Sequence, residues 1–290
     1  MDVRAILLGI AFAIMWSSAF TSARFIVADM SPLFALSVRY LISGLLGVWI
    51  ALALGQSWRL TPAQWRATII FGVLQNAAYL GLNFVAMQTV QASLAAIIAS
   101  TMPLLVGVAA WVFLGERLRP LGIAGLVAGV IGVTLIMGAR IEVGGDMYGV
   151  VLCAIGVLAL TAATLLVRGA TSGGNFLMIV GLQMLFGCVA LSIATVLFET
   201  PRLNPTWPLL FAFTYTALVP GLLATVVWFW LVNRVGATRA ATFHFLNPFF
   251  GVMVAALLLS EPLGGRDIIG VIVIAGGILA VQLSRQRSAS

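Results

Sequence analysis

Apolar stretches follow one another along this chain with hardly a break, and the polar residues that separate them fall at near-regular intervals. A membrane-spanning helix needs about 20 mostly apolar residues. Ten stretches reach that length, at roughly residues 4–24, 31–54, 65–87, 91–114, 120–139, 147–168, 175–198, 207–232, 237–260 and 267–284. Together they use most of the 290 residues and leave room for short loops only. The pattern predicts an all-α membrane protein of ten transmembrane helices with no soluble domain. The first stretch follows Arg4 in the manner of a signal peptide, but the repeat described next requires it as a retained helix.

The chain repeats itself at an offset of 145 residues. Pro103 lands on Pro248, Glu116 on Glu261, Gly125 on Gly270 and Gly132 on Gly277. Ala92, Ala95 and Ala96 land on Ala237, Ala240 and Ala241. Matches of Ala or Gly are common in such a composition, but the same Pro-to-Glu spacing in both halves is not. Residues 1–144 and 145–290 are therefore read as two five-helix repeats.

Arginine placement orients them. With the amino terminus inside, the inner segments carry Arg4, Arg59, Arg66, Arg117, Arg119, Arg168, Arg234, Arg239, Arg285 and Arg287. The outer loops carry only Arg24, Arg140, Arg202 and Arg266. Both termini are expected in the cytoplasm. Five is odd, so the second repeat must be inverted relative to the first. That architecture belongs to secondary transporters, whose site lies near the midplane between the halves.

Composition narrows the chemistry. Hydrophobic residues make up 62% of the chain and charged ones 8%, against roughly 25% charged in an average soluble domain. A mean hydropathy of +1.15 calls for an apolar solvent. No lysine is present, which removes a phosphate-loop ATPase site and any lysine-bound retinal or pyridoxal cofactor. The net charge of +7 comes from scattered arginines without interleaved aromatics, so it reports topology and not nucleic-acid binding. Cys153 and Cys188 lie in apolar runs with no His or Cys at ligand spacing, and read as small packing residues. Neither metal nor cofactor is expected.

Polar residues inside spans are costly and mark candidate sites. Asn76, Tyr79 and Asn83 are three and four residues apart in the third span, on one face of a regular helix. His244, Asn247, Pro248 and Gly251 are similarly spaced in the ninth. Repeat partners of the first set are Gly221, Ala224 and Trp228; those of His244 and Asn247 are Ala99 and Met102. Four such faces would enclose an amphipathic cavity suited to a small zwitterion with an apolar or aromatic side chain. The plainer reading is that the amides bond neighbouring helices.

In the first span Trp16, Ser17, Ser18 and Phe20 form a cluster in which Trp16 and Phe20 share a face and could wall the cavity. Pro103, Pro220-Gly221 and Pro248 lie within spans, where proline removes a backbone donor and permits a kink or hinge. Gly122, Gly125, Gly129 and Gly132, with Gly270, Gly276 and Gly277, read as close helix packing.

Coupling rests on ionisable groups. No Asp or Glu falls in the middle of a span, and Glu116 and Glu261 read as end-of-helix structural groups. Arg39, eight or nine residues into the second span, pairs internally, snorkels outward, or attracts a substrate carboxylate. His244 is the sole histidine. Transport is then either uncoupled or carried by a proton on His244.

Trp16-Ser17-Ser18 with Phe20, Pro32 followed by Arg39, and Pro103 with Gly115-Glu116-Arg117 resemble the EamA-type members of the drug/metabolite transporter superfamily. The second half repeats the Pro248–Glu261 portion, and the resemblance spans essentially the whole chain. Within the superfamily the chain looks most like aromatic amino-acid exporters of the YddG type. The resemblance implies a ten-helix basket in the inner (cytoplasmic) membrane that exports amino acids by alternating access around a central cavity. Partners are then the substrate and membrane lipid, with no obligatory protein partner indicated. One departure is Met184 at the repeat position of Arg39.

The competing readings are a proton-coupled exporter of drugs or other metabolites and a polar-lined channel. A carrier of organic cations would favour an acid within the membrane, and an intramembrane enzyme would need a nucleophile with its base or clustered metal ligands.

Overall fold

The computed structural model describes residues 3–115, 119–142, 146–166, 175–235, 240 and 242–286, which are almost entirely helical. Glu116, Arg117, Arg168, Ala237, Arg239, Ala241 and Arg287, all used in the sequence reading, lie outside the described residues. In chain order the helices are α1 (Val3–Asp29), α2 (Pro32–Ala53), α3 (Pro62–Phe71) and α4 (Leu80–Ala86), the last two joined by a π-helical segment, Gly72–Tyr79. Next come α5 (Ala92–Ser100), α6 (Met102–Leu114), α7 (Pro120–Glu142), α8 (Met147–Leu166) and α9 (Phe176–Phe198). Then α10 (Trp207–Thr216) passes through a second π segment, Ala217–Leu223, into α11 (Ala224–Val235). A 3₁₀ turn, Thr242–Leu246, leads into α12 (Asn247–Leu259), and α13 (Gly265–Gln286) closes the described chain.

Eight helical stretches are long and apolar enough to cross a membrane, while Pro120–Ile136 and Phe243–Leu259 are shorter apolar helices at the fifth and ninth expected positions. Helices satisfy their backbone groups internally, which hydrocarbon demands. Entry points carry the expected signals. Pro32 starts α2, and Thr61 with Gln64 forms a reciprocal capping box at α3. Trp49, Phe113, Val196 and Phe198 are exposed on the outer surface, as lipid-facing side chains should be.

The irregularities recur at the 145-residue offset. The π segment Gly72–Tyr79 corresponds to Ala217–Leu223. The break before Met102-Pro103 corresponds to the one before Asn247-Pro248, because each proline lacks a donor and ends the preceding turn. Gly115 (φ 65°) and Ser260 (φ 54°) hold left-handed caps at matching positions.

Two helix pairs hold the molecule together, α2 with α9 and α7 with α13. Both depend on glycines that let backbones approach. A Cβ on Gly181 would meet the Val48 nitrogen at 2.7 Å, and one on Gly132 would meet the Gly270 oxygen at 2.9 Å.

One end of the molecule is tied shut between the halves. The Glu199 carboxylate accepts from the Leu33 and Phe34 amides at 3.0 and 3.1 Å, capping α2. The Thr206 hydroxyl donates to Asp29, and the Arg202 amide donates to the Ser31 hydroxyl at 2.8 Å. Glu261 accepts from the Ala92 and Ser93 amides at 2.7 and 3.0 Å. It therefore caps the start of α5 across the halves, beyond the end-of-helix role read from sequence.

Candidate functional site

Two contiguous cavities, ≈ 360 Å³ and ≈ 610 Å³, lie among these helices and share Trp16, Phe20, Phe71, Gln75, Tyr79 and Phe176 on their walls. The larger one runs to Thr164, Phe176 and Val232, helix-end residues opposite the tied end.

In the larger cavity His244 stands inside an aromatic box. Its ring centroid is 5.3 Å from Phe12, nearly perpendicular, 5.4 Å from Trp228 and 6.4 Å from Trp16. The Phe12 and Trp16 contacts are edge-to-face, which suits the ring quadrupoles, and the Trp228 contact is tilted. Asn247 Nδ2 lies 2.9 Å from His244 Nδ1. With the amide as donor, Nδ1 is the acceptor and the ring is the neutral tautomer protonated at Nε2. The Asn247 carbonyl accepts from the Ser17 hydroxyl at 3.1 Å, joining α1 to α12, while Asn247 Oδ1 is buried without a partner. The 3₁₀ turn and the Pro248 break place His244 and Asn247 side by side.

In the smaller cavity Asn76 Nδ2 donates to the Gln183 carbonyl at 3.0 Å, tying the π segment to α9. Pro220 and Gly221 line the same cavity, whereas Pro103 lines the larger one. Pro248 is buried at the start of α12 and is not on either lining. Gly251 packs against Ala96 and leaves no room for a side chain.

Asn83 corrects the shared-face expectation. It is buried, its Nδ2 donates to the Tyr79 carbonyl at 2.8 Å and lies against Gly156 of α8, and it lines neither cavity. The π turn widens the helix, so spacings of three and four no longer stack on one face. Of the three readings open for Arg39, the structure excludes one. Arg39 does not snorkel: it is 8% exposed and lines the smaller cavity, with its Cζ 5.3 Å from the Tyr40 ring centroid.

Sequence reasoning missed Phe12, Phe71, Gln75 and Phe176, all on the linings. Phe12 lies four residues before Trp16, and that spacing was its available signal. Gln75 adjoins Asn76, but phenylalanines in so apolar a chain carry none. Among the described residues no group of three or more His, Cys, Asp or Glu could hold a metal ion.

A model of the EamA-like transporter family matches the chain twice, over residues 3–138 and 147–283. The uncharacterized transporter YvbV of Bacillus subtilis (strain 168) is 27% identical over 269 residues, covering 92% of this chain and 88% of its own. Protein PecM of Dickeya dadantii (strain 3937) is 25% identical over 272 residues, covering 92% and 89%. The uncharacterized inner membrane transporter YedA of Escherichia coli (strain K12) is 27% identical over 280 residues, covering 90% and 84%. One crystal structure matches the fold with a TM-score of 0.66 at 20% identity, over 100% of both chains. The chain belongs to the EamA-like transporter family. It is a multi-pass membrane transporter.

Proposed function

We propose that this EamA-family chain is an inner-membrane exporter of amino acids, aromatic ones included, working by alternating access around the cavities shared by its halves. The carrying observation is the aromatic-walled site itself. Phe12, Trp16 and Trp228 surround His244, and the partnerless Asn247 Oδ1 is an acceptor for an ammonium group. A cavity of this size takes a small metabolite with an apolar body and a few polar handles.

The ten-span, inverted-repeat topology with cytoplasmic termini is part of this reading. The doubled family match, the paired π segments and the paired left-handed caps support it. The printed name of YedA supports the inner membrane as the location. In that topology the tied end faces outward and the cavity opens toward the cytoplasm, ready to load cargo for export. Mass action sets the direction. Among the described residues no acid lines either cavity, which favours uncoupled transport over a proton-driven cycle.

Uptake of labelled phenylalanine into proteoliposomes tests the reading. Saturable uptake, inhibited by tyrosine and tryptophan and weakened by Trp16→Ala, is expected. Uptake that rises linearly with concentration would instead indicate a channel, and none at all would exclude aromatic amino acids.

A further inference from the structure

Among the described residues, the linings of the two cavities carry one permanent charge, Arg39, and no aspartate or glutamate. Arg39 is nine-tenths buried, and its Nε has no hydrogen-bond partner. A cation withdrawn from water at this depth is costly unless an anion or a full set of acceptors meets it. Among the described residues, the Tyr40 ring, 5.3 Å from Cζ, is its charge-stabilising neighbour. Gly221 lies beside the group: a Cβ there would be in ordinary contact with Arg39 Nη2, at 3.6 Å. The second π segment sets Gly221 at that point, immediately after Pro220.

We infer that Arg39 is the binding group for the carboxylate of the cargo, and that the substrate class is small organic carboxylates with an apolar or aromatic body. A guanidinium presents paired donors that match a carboxylate in the plane of its fork. Trp16, Phe20 and Phe71 supply the apolar wall beside it. The site is one-sided. Met184, at the repeat position of Arg39, lines the same cavity, so one half holds the anion and the other offers only packing surface. With one positive charge and no acid among the described lining residues, the site does not require an ammonium group. Carboxylates without an amine are accepted, and amines without a carboxylate are refused. This inference rests on the cavity being the transport site but not on the cargo being an amino acid.

The test is binding to the purified full chain in lipid nanodiscs by calorimetry, with a thermal-shift readout in parallel. Three ligands are compared: phenylalanine, its amide, which lacks the carboxylate, and 3-phenylpropanoate, which lacks the amine. The variants are Arg39→Met and Arg39→Lys. Wild type is expected to bind the amide about tenfold or more weakly than phenylalanine, the size of a lost charge-assisted contact. It also binds 3-phenylpropanoate, more tightly than it binds the amide.

Arg39→Met is expected to lose the carboxylate preference and the ligand-induced thermal shift, while melting no lower than wild type, because it removes a charge without an anionic partner. Arg39→Lys restores part of the preference. If 3-phenylpropanoate binds in an Arg39-dependent way and phenylalanine does not, the amino-acid reading fails and the carboxylate site stands. Equal binding of phenylalanine and its amide to wild type overturns the carboxylate site, as does an unchanged preference in Arg39→Met. So does a failure of both carboxylates to bind, or a melting loss in Arg39→Met that marks Arg39 as structural.

Discussion

Gly125 and Gly277 approach so closely that a Cβ on either would fall 2.6 Å from the other's carbonyl oxygen. Gly132 and Gly270 stand in the same relation at 2.9 Å. At the 145-residue offset Gly125 corresponds to Gly270 and Gly132 to Gly277. Each glycine thus packs on the repeat partner of the other's counterpart, the reciprocity that a two-fold axis imposes on an interface. The α7–α13 contact therefore has the form of a small isologous interface within one chain.

Gly125→Val and Gly277→Val should each cost about 3 kcal/mol or more, because the obstructing atoms are backbone and cannot move aside. Gly276→Ala, facing open space on the same helix, should be neutral. Detergent-solubilised yield and thermal melting report both.

Ser260 holds φ at 54°, a left-handed conformation that disfavours a Cβ, at the position matching Gly115 in the first half. Ser260→Gly should stabilise the protein by about 1 kcal/mol, and Gly115→Ala should destabilise it by a similar amount. A melting series decides whether the two changes have opposite signs.

Asn76 links its segment to α9 through the Gln183 carbonyl and lines the smaller cavity. Asn76→Ala removes that tie between the segment and α9. The KM for transport should rise about tenfold, the size of one buried hydrogen bond. Expression should fall much less. Equal losses of transport and expression would reduce Asn76 to a packing residue.

Asp146 precedes α8 and is held below the usual carboxylate range, first by the Thr89 hydroxyl and then by the Gly149 and Tyr148 amides. A depressed carboxyl stabilises the fold above its unfolded pKa of about 4 and loses that contribution as pH falls through its lower folded value. Asp146→Asn should therefore lower the melting temperature at pH 6–8, where the ionised carboxylate contributes, and flatten the acid side of the curve so that variant and wild type converge near pH 3. Melting temperatures across pH 3–8 check the sign.

Much of the architecture was legible because uninterrupted apolar runs are strong signals. The expected stretch 147–168 appears as Met147–Leu166, and 175–198 as Phe176–Phe198. Ends were less legible. The first run was closed at 24, yet α1 continues to Asp29, whose carboxylate is bonded to Thr206 in the other half. Asn83 was misplaced because a π turn leaves no mark in side-chain spacing. Arg39 was left open because whether it is buried depends on α9 and on the second π segment, far away in sequence. Trp16, His244 and Asn247 were legible as rare polar or indole groups within spans, while Phe12 and Phe176 were hidden among 17 phenylalanines.

Counterflow is the most direct test that a site between the halves carries amino acids across the membrane without an ion gradient. Proteoliposomes loaded with unlabelled phenylalanine and diluted into trace label should show transient accumulation, with or without an imposed pH gradient, and His244→Gln should keep that insensitivity. Accumulation that appears only with the gradient, or no accumulation from loaded vesicles, would contradict an uncoupled amino-acid carrier.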